Sequence, residues 1–257
     1  MRTFLKLIIA LVLFVPSGLA QKSKMLSDAE LAEITARGRF LAEYDTASWH
    51  ATDAMLALKP ENGTVKRYIA RKTDTGWIVD FGRFNETRDA FLIVYEATQG
   101  GSPLQFTVKT YDPPQKDAGF FYIAAKAIEV SLQNFQGEKR PYNTYVLPLA
   151  PGQMYVYVVP AQTKADVYPL GGDARYLVSN DGSTILETRR LHKTILEVST
   201  PAGIHPEGGY HTHVLTDVPE DTDVFHVLRR KFPIPEFIGT KNGVYKVEAD
   251  GTIKRTK

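Results

Sequence analysis

Cysteine is absent from all 257 residues. Disulfide bracing and thiol nucleophiles are therefore excluded, and the hydrophobic core has to hold the fold. A dominant charge is missing too, since 31 basic residues face 29 acidic ones. No concentrated basic field is visible, so neither nucleic acid nor an anionic membrane surface is expected as a partner. No apolar run approaches the roughly 20 residues of a membrane-spanning helix; the longest, Leu7 to Val15, stops well short. A Gly-x-Ser-x-Gly elbow and a phosphate-binding glycine loop are also lacking, and Gly171-Gly172-Asp173 reads as a turn before a strand. Histidine is scarce at six residues, yet His205, His211, His213 and His226 fall in one short window.

The N-terminus carries an export signal. Arg2 and Lys6 precede the apolar run, and Gly18-Leu19-Ala20 supplies small residues for cleavage. Residues 1–20 are read as a signal peptide, which predicts a secreted or periplasmic protein with no stable membrane anchor after cleavage. Loss of Arg2 and Lys6 brings the basic residues from 31 to 29, so the mature chain is close to neutral.

Ser27-Asp28-Ala29-Glu30 has the form of a capping box. Leu31, Ile34, Leu41 and Tyr44 follow at helical spacing, and Trp49 to Leu56 extend the pattern toward Pro60. His50 reads as an ordinary helix residue. Short aromatic and β-branched runs over 67–70, 77–81, 91–95 and 105–110 predict a small antiparallel sheet. Pro113-Pro114 is expected to stop its last strand and to mark a boundary between regions 21–115 and 116–257. Beyond it, the pattern predicts a helix over 120–135 and strands over 142–147, 154–159, 175–179, 184–189 and 194–198. A short helix over 223–230 and strands over 236–240 and 244–247 follow. The fold class is α+β: an N-terminal helix with a small antiparallel sheet, followed by a mixed α/β domain.

Residues i and i+2 of a strand point to the same face, so His211 and His213 project together if 209–214 is extended. Asp223 on the next helix is the candidate third ligand, with Asp217 and Asp221 as alternatives. Two imidazoles and one carboxylate leave a fourth tetrahedral position for water, the usual arrangement of a catalytic zinc. A free carboxylate would then act as general base. The plainer reading is a His-x-His pair on an ordinary strand. His226 reads as a helix-surface residue, His192 between Arg190 and Lys193 as exposed, and His205 as a loop residue near the site.

Gly208-Gly209-Tyr210-His211-Thr212-His213 followed by Pro219-Glu220-Asp221-Thr222-Asp223 resembles the His-x-His and Pro-Ser-x-x-Asp motifs of the JAMM-type, MPN-fold zinc isopeptidases. The resemblance extends over 116–257 and is specific over about 35 residues. It implies a JAMM-like domain, a bound zinc held by His211, His213 and Asp223, cleavage of an amide or isopeptide bond, and a protein or peptide substrate. Val214 stands where the family has proline, Glu220 replaces the serine that helps hold the tetrahedral intermediate, and the gap to Asp223 is one residue shorter. Glu138, Glu187 and Glu197 are alternative candidates for the family's general base, and Glu220 joins the candidate catalytic set. The competing reading is a non-catalytic exported module, an inactive relative that contacts a protein or cell-envelope component. Tyr142, Tyr145, Tyr155, Tyr157 and Tyr168 would supply its surface.

Overall fold

The computed structural model describes residues 25–200, 203–204 and 206–256. The expected signal peptide and His205 lie outside them. Ser27 caps helix α1 (Asp28–Leu56), and the Glu30 carboxylate accepts from the Ser27 backbone at 2.7 Å in return. The helix runs 29 residues without a break, about 44 Å at 1.5 Å per residue. Leu31, Ile34, Gly38, Leu41, Tyr44, Ala47, Ala51 and Met55 are buried at spacings of three and four, so one stripe of the helix faces the core.

The α+β class holds. Strands β1 (Arg67–Thr73), β2 (Gly76–Phe84), β3 (Phe91–Gln99) and β4 (Phe106–Asp117) form an antiparallel sheet in the order β1-β2-β3-β4. The strand β4 does not stop at Pro113-Pro114, as the sequence suggests, but continues to Asp117. It is an edge strand, where a missing N–H can face away from the ladder, and its pairing with β3 shifts register between Ile93 and Tyr95.

Helix α2 (Phe120–Asn134) leads to a second antiparallel sheet. Its strands are β5 (Tyr142–Pro148), β6 (Met154–Pro160), β8 (Ala174–Val178) and β9 (Ile185–Arg190), in the order β5-β6-β8-β9. The central position of β6 accounts for its run of apolar and aromatic residues. Strand β7 (Val167–Gly171) pairs instead with β10 (Ile195–Ser199) as a separate ribbon. The chain ends in a mixed sheet, β11 (Gly209–Thr212), β12 (Glu236–Thr240), β13 (Gly243–Val247) and β14 (Ile253–Arg255). There β11 runs parallel to β12, with helix α3 (Asp221–Leu228) on the crossover. Strand β14 lies in the basic C-terminal segment, where no strand is expected.

Three apolar clusters fill the interior. Leu41, Tyr44 and Met55 of α1 pack with Trp77 and Phe81 of the first sheet and Tyr145 and Tyr157 of the second. Ile69, Phe91 and Ile93 meet α2 and Val146, Val156 and Tyr176. Leu31 and Ile34 join Val224, Val227 and the last sheet. All three clusters draw residues from both sides of Pro113-Pro114. Tyr145 and Tyr157 are fully buried, so these two belong to the core and not to an aromatic surface. No helix among the described residues is long and apolar enough to cross a membrane.

Candidate metal centre

Four residues from three segments converge at the first turn of α3. Strand β11 carries His211, and His213 follows directly, its N–H donating to the Gly239 carbonyl of β12 so that the extended run continues. The alternation expected of a strand brings both imidazoles to one side. Asp223 lies in the first turn of α3, and its Oδ2 accepts from the Glu220 backbone N–H at 2.7 Å. The fourth residue is His192, just beyond the end of β9. Its flanking basic residues suggest exposure, but His192 is 8% exposed and points inward.

Ligand atoms of His192, His211, His213 and Asp223 lie within 4.8 Å of one another, and all four residues are buried. Asp223 Oδ1 is 3.1 Å from His192 Nε2, 3.0 Å from His211 Nε2 and 3.3 Å from His213 Nε2. The Nε2 atoms of His192 and His213 are 2.9 Å apart, and those of His211 and His213 3.3 Å. A tetrahedron with metal–ligand bonds of about 2.0–2.1 Å has edges of about 3.3–3.4 Å; five of the six donor separations lie at 2.9–3.3 Å, and all four donors fall within 4.8 Å of one another.

The other ring nitrogen of each imidazole fixes its tautomer. His213 Nδ1 lies 2.8 Å from the Val218 carbonyl, which can only accept, so this nitrogen carries the proton. His192 Nδ1 donates to Asp173 Oδ1 at 2.8 Å, and His211 Nδ1 donates to Glu236 Oε1 at 3.0 Å. Three Nε2 lone pairs therefore meet beside a carboxylate oxygen. Lone pairs at 2.9–3.3 Å repel unless a cation or additional protons lie between them. Without an ion, the acids respond accordingly. Burial disfavours a charged His192, but Asp173 and Asp223 raise its pKa well above the usual imidazole value. His211 is likewise raised to about 9, against burial, by hydrogen bonds to Asp223 and Glu236. Burial alone would raise Asp223, yet His213 and His192 hold it far below the normal carboxylate range.

Outer partners of this kind orient metal ligands and set their basicity. Asp173 comes from the turn before β8, whose Gly171 and Gly172 adopt positive φ values of 85° and 67°. A Cβ on Gly171 would lie 2.4 Å from the Thr194 carbonyl and 3.1 Å from His192 Cβ. The glycines thus let the His192 segment pass close by. Glu236 also receives Arg230 Nη2 at 2.8 Å, and the same guanidinium bonds His226 Nε2. His226 is buried, not on the helix surface, and burial together with Arg230 keeps its ring neutral.

The remaining sequence candidates lie elsewhere. Glu138 is exposed after α2, and Glu187 is exposed on β9. Glu197 pairs with Arg140 at 2.7 Å. Asp217 lies near Lys241, and Asp221 binds arginines and a tyrosine. Glu220 is buried beside the centre, 2.6 Å from Arg189, and burial pushes its carboxyl up to about 7. The buried His192, His211, His213, Asp223 group can bind a metal ion. No family model matches the chain, and no curated protein or solved structure does either.

Proposed function

We propose that this is an exported zinc-binding protein in which four protein ligands close the metal centre. The observation that carries this reading is the convergence of four buried donors, with each imidazole anchored through its far nitrogen. Imidazole and carboxylate donors without a thiolate suit zinc, and five of the six donor separations, at 2.9–3.3 Å, suit its four-coordinate preference. Closed four-ligand zinc sites are structural, whereas catalytic sites keep a position for water. His192 stands where the sequence leaves room for that water. The closed set supports the non-catalytic alternative, an exported module that contacts a protein or cell-envelope component. In such a module the ion would cross-link the end of β9, strand β11 and α3.

A specific observation favours a second reading, a JAMM-like hydrolase. Glu220, three residues before Asp223, is held near neutrality, where a general base works best. That chemistry requires one ligand to yield its place to water and Glu220 to leave Arg189.

Metal analysis of the purified protein beside a His211→Ala/His213→Ala variant tests the proposal. One zinc per chain, lost in the variant, is expected; no metal in either sinks both readings. Peptide or isopeptide cleavage by the zinc-loaded protein, abolished in Glu220→Gln, would favour the hydrolase over the closed module.

A further inference from the structure

Asp221 is two residues from the ligand Asp223 and is fully buried, yet it does not join the metal group. Its carboxylate gathers three donors from three other elements. Arg37 Nε of α1 lies 2.9 Å from Oδ1. Arg175 Nη1 of β8 and the Tyr157 hydroxyl of β6 lie 2.6 and 2.7 Å from Oδ2. At Gly38 a Cβ would fall 2.5 Å from the Asp221 carbonyl and 2.4 Å from Val224 Cβ, so the first turn of α3 rests directly on α1. Helix α3 is only eight residues long, too short to hold an orientation on its own.

We infer that Asp221 is a positioning residue for the metal centre, fixing the first turn of α3 against α1 and the second sheet so that Asp223 Oδ1 meets the three imidazoles. The inference rests on the zinc reading above. Asp223 itself supports the mechanism: its Oδ2 accepts from the Glu220 N–H within the same turn and also lies 3.2 Å from His213 Nε2, so the direction of the whole carboxylate follows the placement of that turn. A shift of a few tenths of an ångström in α3 would change three ligand separations at once.

Tyr157→Phe removes one of the three donors and keeps the buried ring. Tyr176→Phe is the control, a buried tyrosine of β8 that belongs to the cluster under α2. Zinc affinity is measured by competition with a chelating dye, and the ligand field by the visible spectrum of the cobalt-substituted protein. Tyr157→Phe is expected to weaken zinc by up to about 10-fold, the lower end for groups bonded directly to metal ligands, since Tyr157 acts one bond further out, and to shift the cobalt bands. Tyr176→Phe should overlay the wild type in both readouts. A purely structural role would lower the melting temperature of the metal-free variant and leave affinity and spectrum unchanged, which overturns the inference. If Tyr157→Phe does not fold, Arg37→Met at the outer edge of the cluster is read in the same way. Wild-type protein that takes up no zinc overturns the metal reading, and this inference with it; zinc-binding wild type with an indifferent Tyr157→Phe overturns this inference alone.

Discussion

Asp223 on α3 and Asp80 in the middle of β2 are both fully withdrawn from solvent, but their surroundings differ. Asp223 faces three imidazoles and a backbone N–H. Neither oxygen of Asp80 meets a hydrogen-bond donor among the described residues. Burial, with added repulsion from Glu96 and Asp117, raises Asp80 to about 8, whereas the imidazoles drive Asp223 far down. Depth in the fold does not decide whether a carboxyl carries charge; the partners waiting there do. One carboxyl is arranged around a charge it keeps, and the other keeps its proton because nothing replaces water.

The largest expected break in this comparison is Asp223→Asn. It keeps the shape and removes the anion, so zinc should be lost on dialysis, with affinity down at least about 100-fold; metal analysis checks it. Undiminished zinc content would mean that the carboxylate is no ligand. Next in size is removal of the ion. Saturating zinc at about a thousandfold above Kd adds about 4 kcal/mol, equivalent to about 10 °C in Tm for a chain of this length, and EDTA should reverse it in a thermal melt.

A smaller effect is expected at Asp80. Its folded pKa lies above the ordinary carboxyl value, so the folded state holds the proton more tightly. The stability this confers is complete below the unfolded pKa near 4 and is lost as the pH rises through about 8. Urea midpoints of the metal-free protein between pH 4 and 8 should fall with pH, and Asp80→Asn should flatten the fall. A slope equal to that of the wild type would place the titration elsewhere. The smallest effects belong to Glu138→Gln and Glu187→Gln. Both side chains are exposed, so zinc affinity should change less than about twofold and stability by no more than about 0.5 kcal/mol.

Local chemistry was legible in the sequence. The Ser27 box, the buried stripe of α1 and the two-residue alternation of His211 and His213 depend on neighbours a few positions away, and each appears in the structure. What failed to show depends on distant partners. His192 looks like a surface residue between Arg190 and Lys193 until β9 delivers it to Asp173 and Asp223. Asp173 looks like part of a glycine turn, and Glu236 like the start of an ordinary strand. Continuation of β4 past its prolines follows from its edge position, which only the sheet order reveals. A histidine shortly after an expected strand, in a chain that also holds a His-x-His pair, is the hint the sequence offers for the fourth member of the group.

Helix α1 also bears on the order in which the chain can fold. The apolar residues of its first turns, Leu31 and Ile34, pack with Val224, Val227, Ile238, Tyr245 and Ile253, about 190 to 220 residues downstream. Until that segment has been synthesised, the beginning of α1 has no core to join and shows its apolar stripe to water. The second half of the helix finds most of its partners earlier, in Trp77, Phe81 and Tyr145, although Leu191 and Phe225 complete that cluster. The contacts of the first half are thus the more distant in sequence, and long-range contacts of that kind slow folding. A ribosome stalled before residue 220 would leave exposed the surface that a holding chaperone is built to recognise.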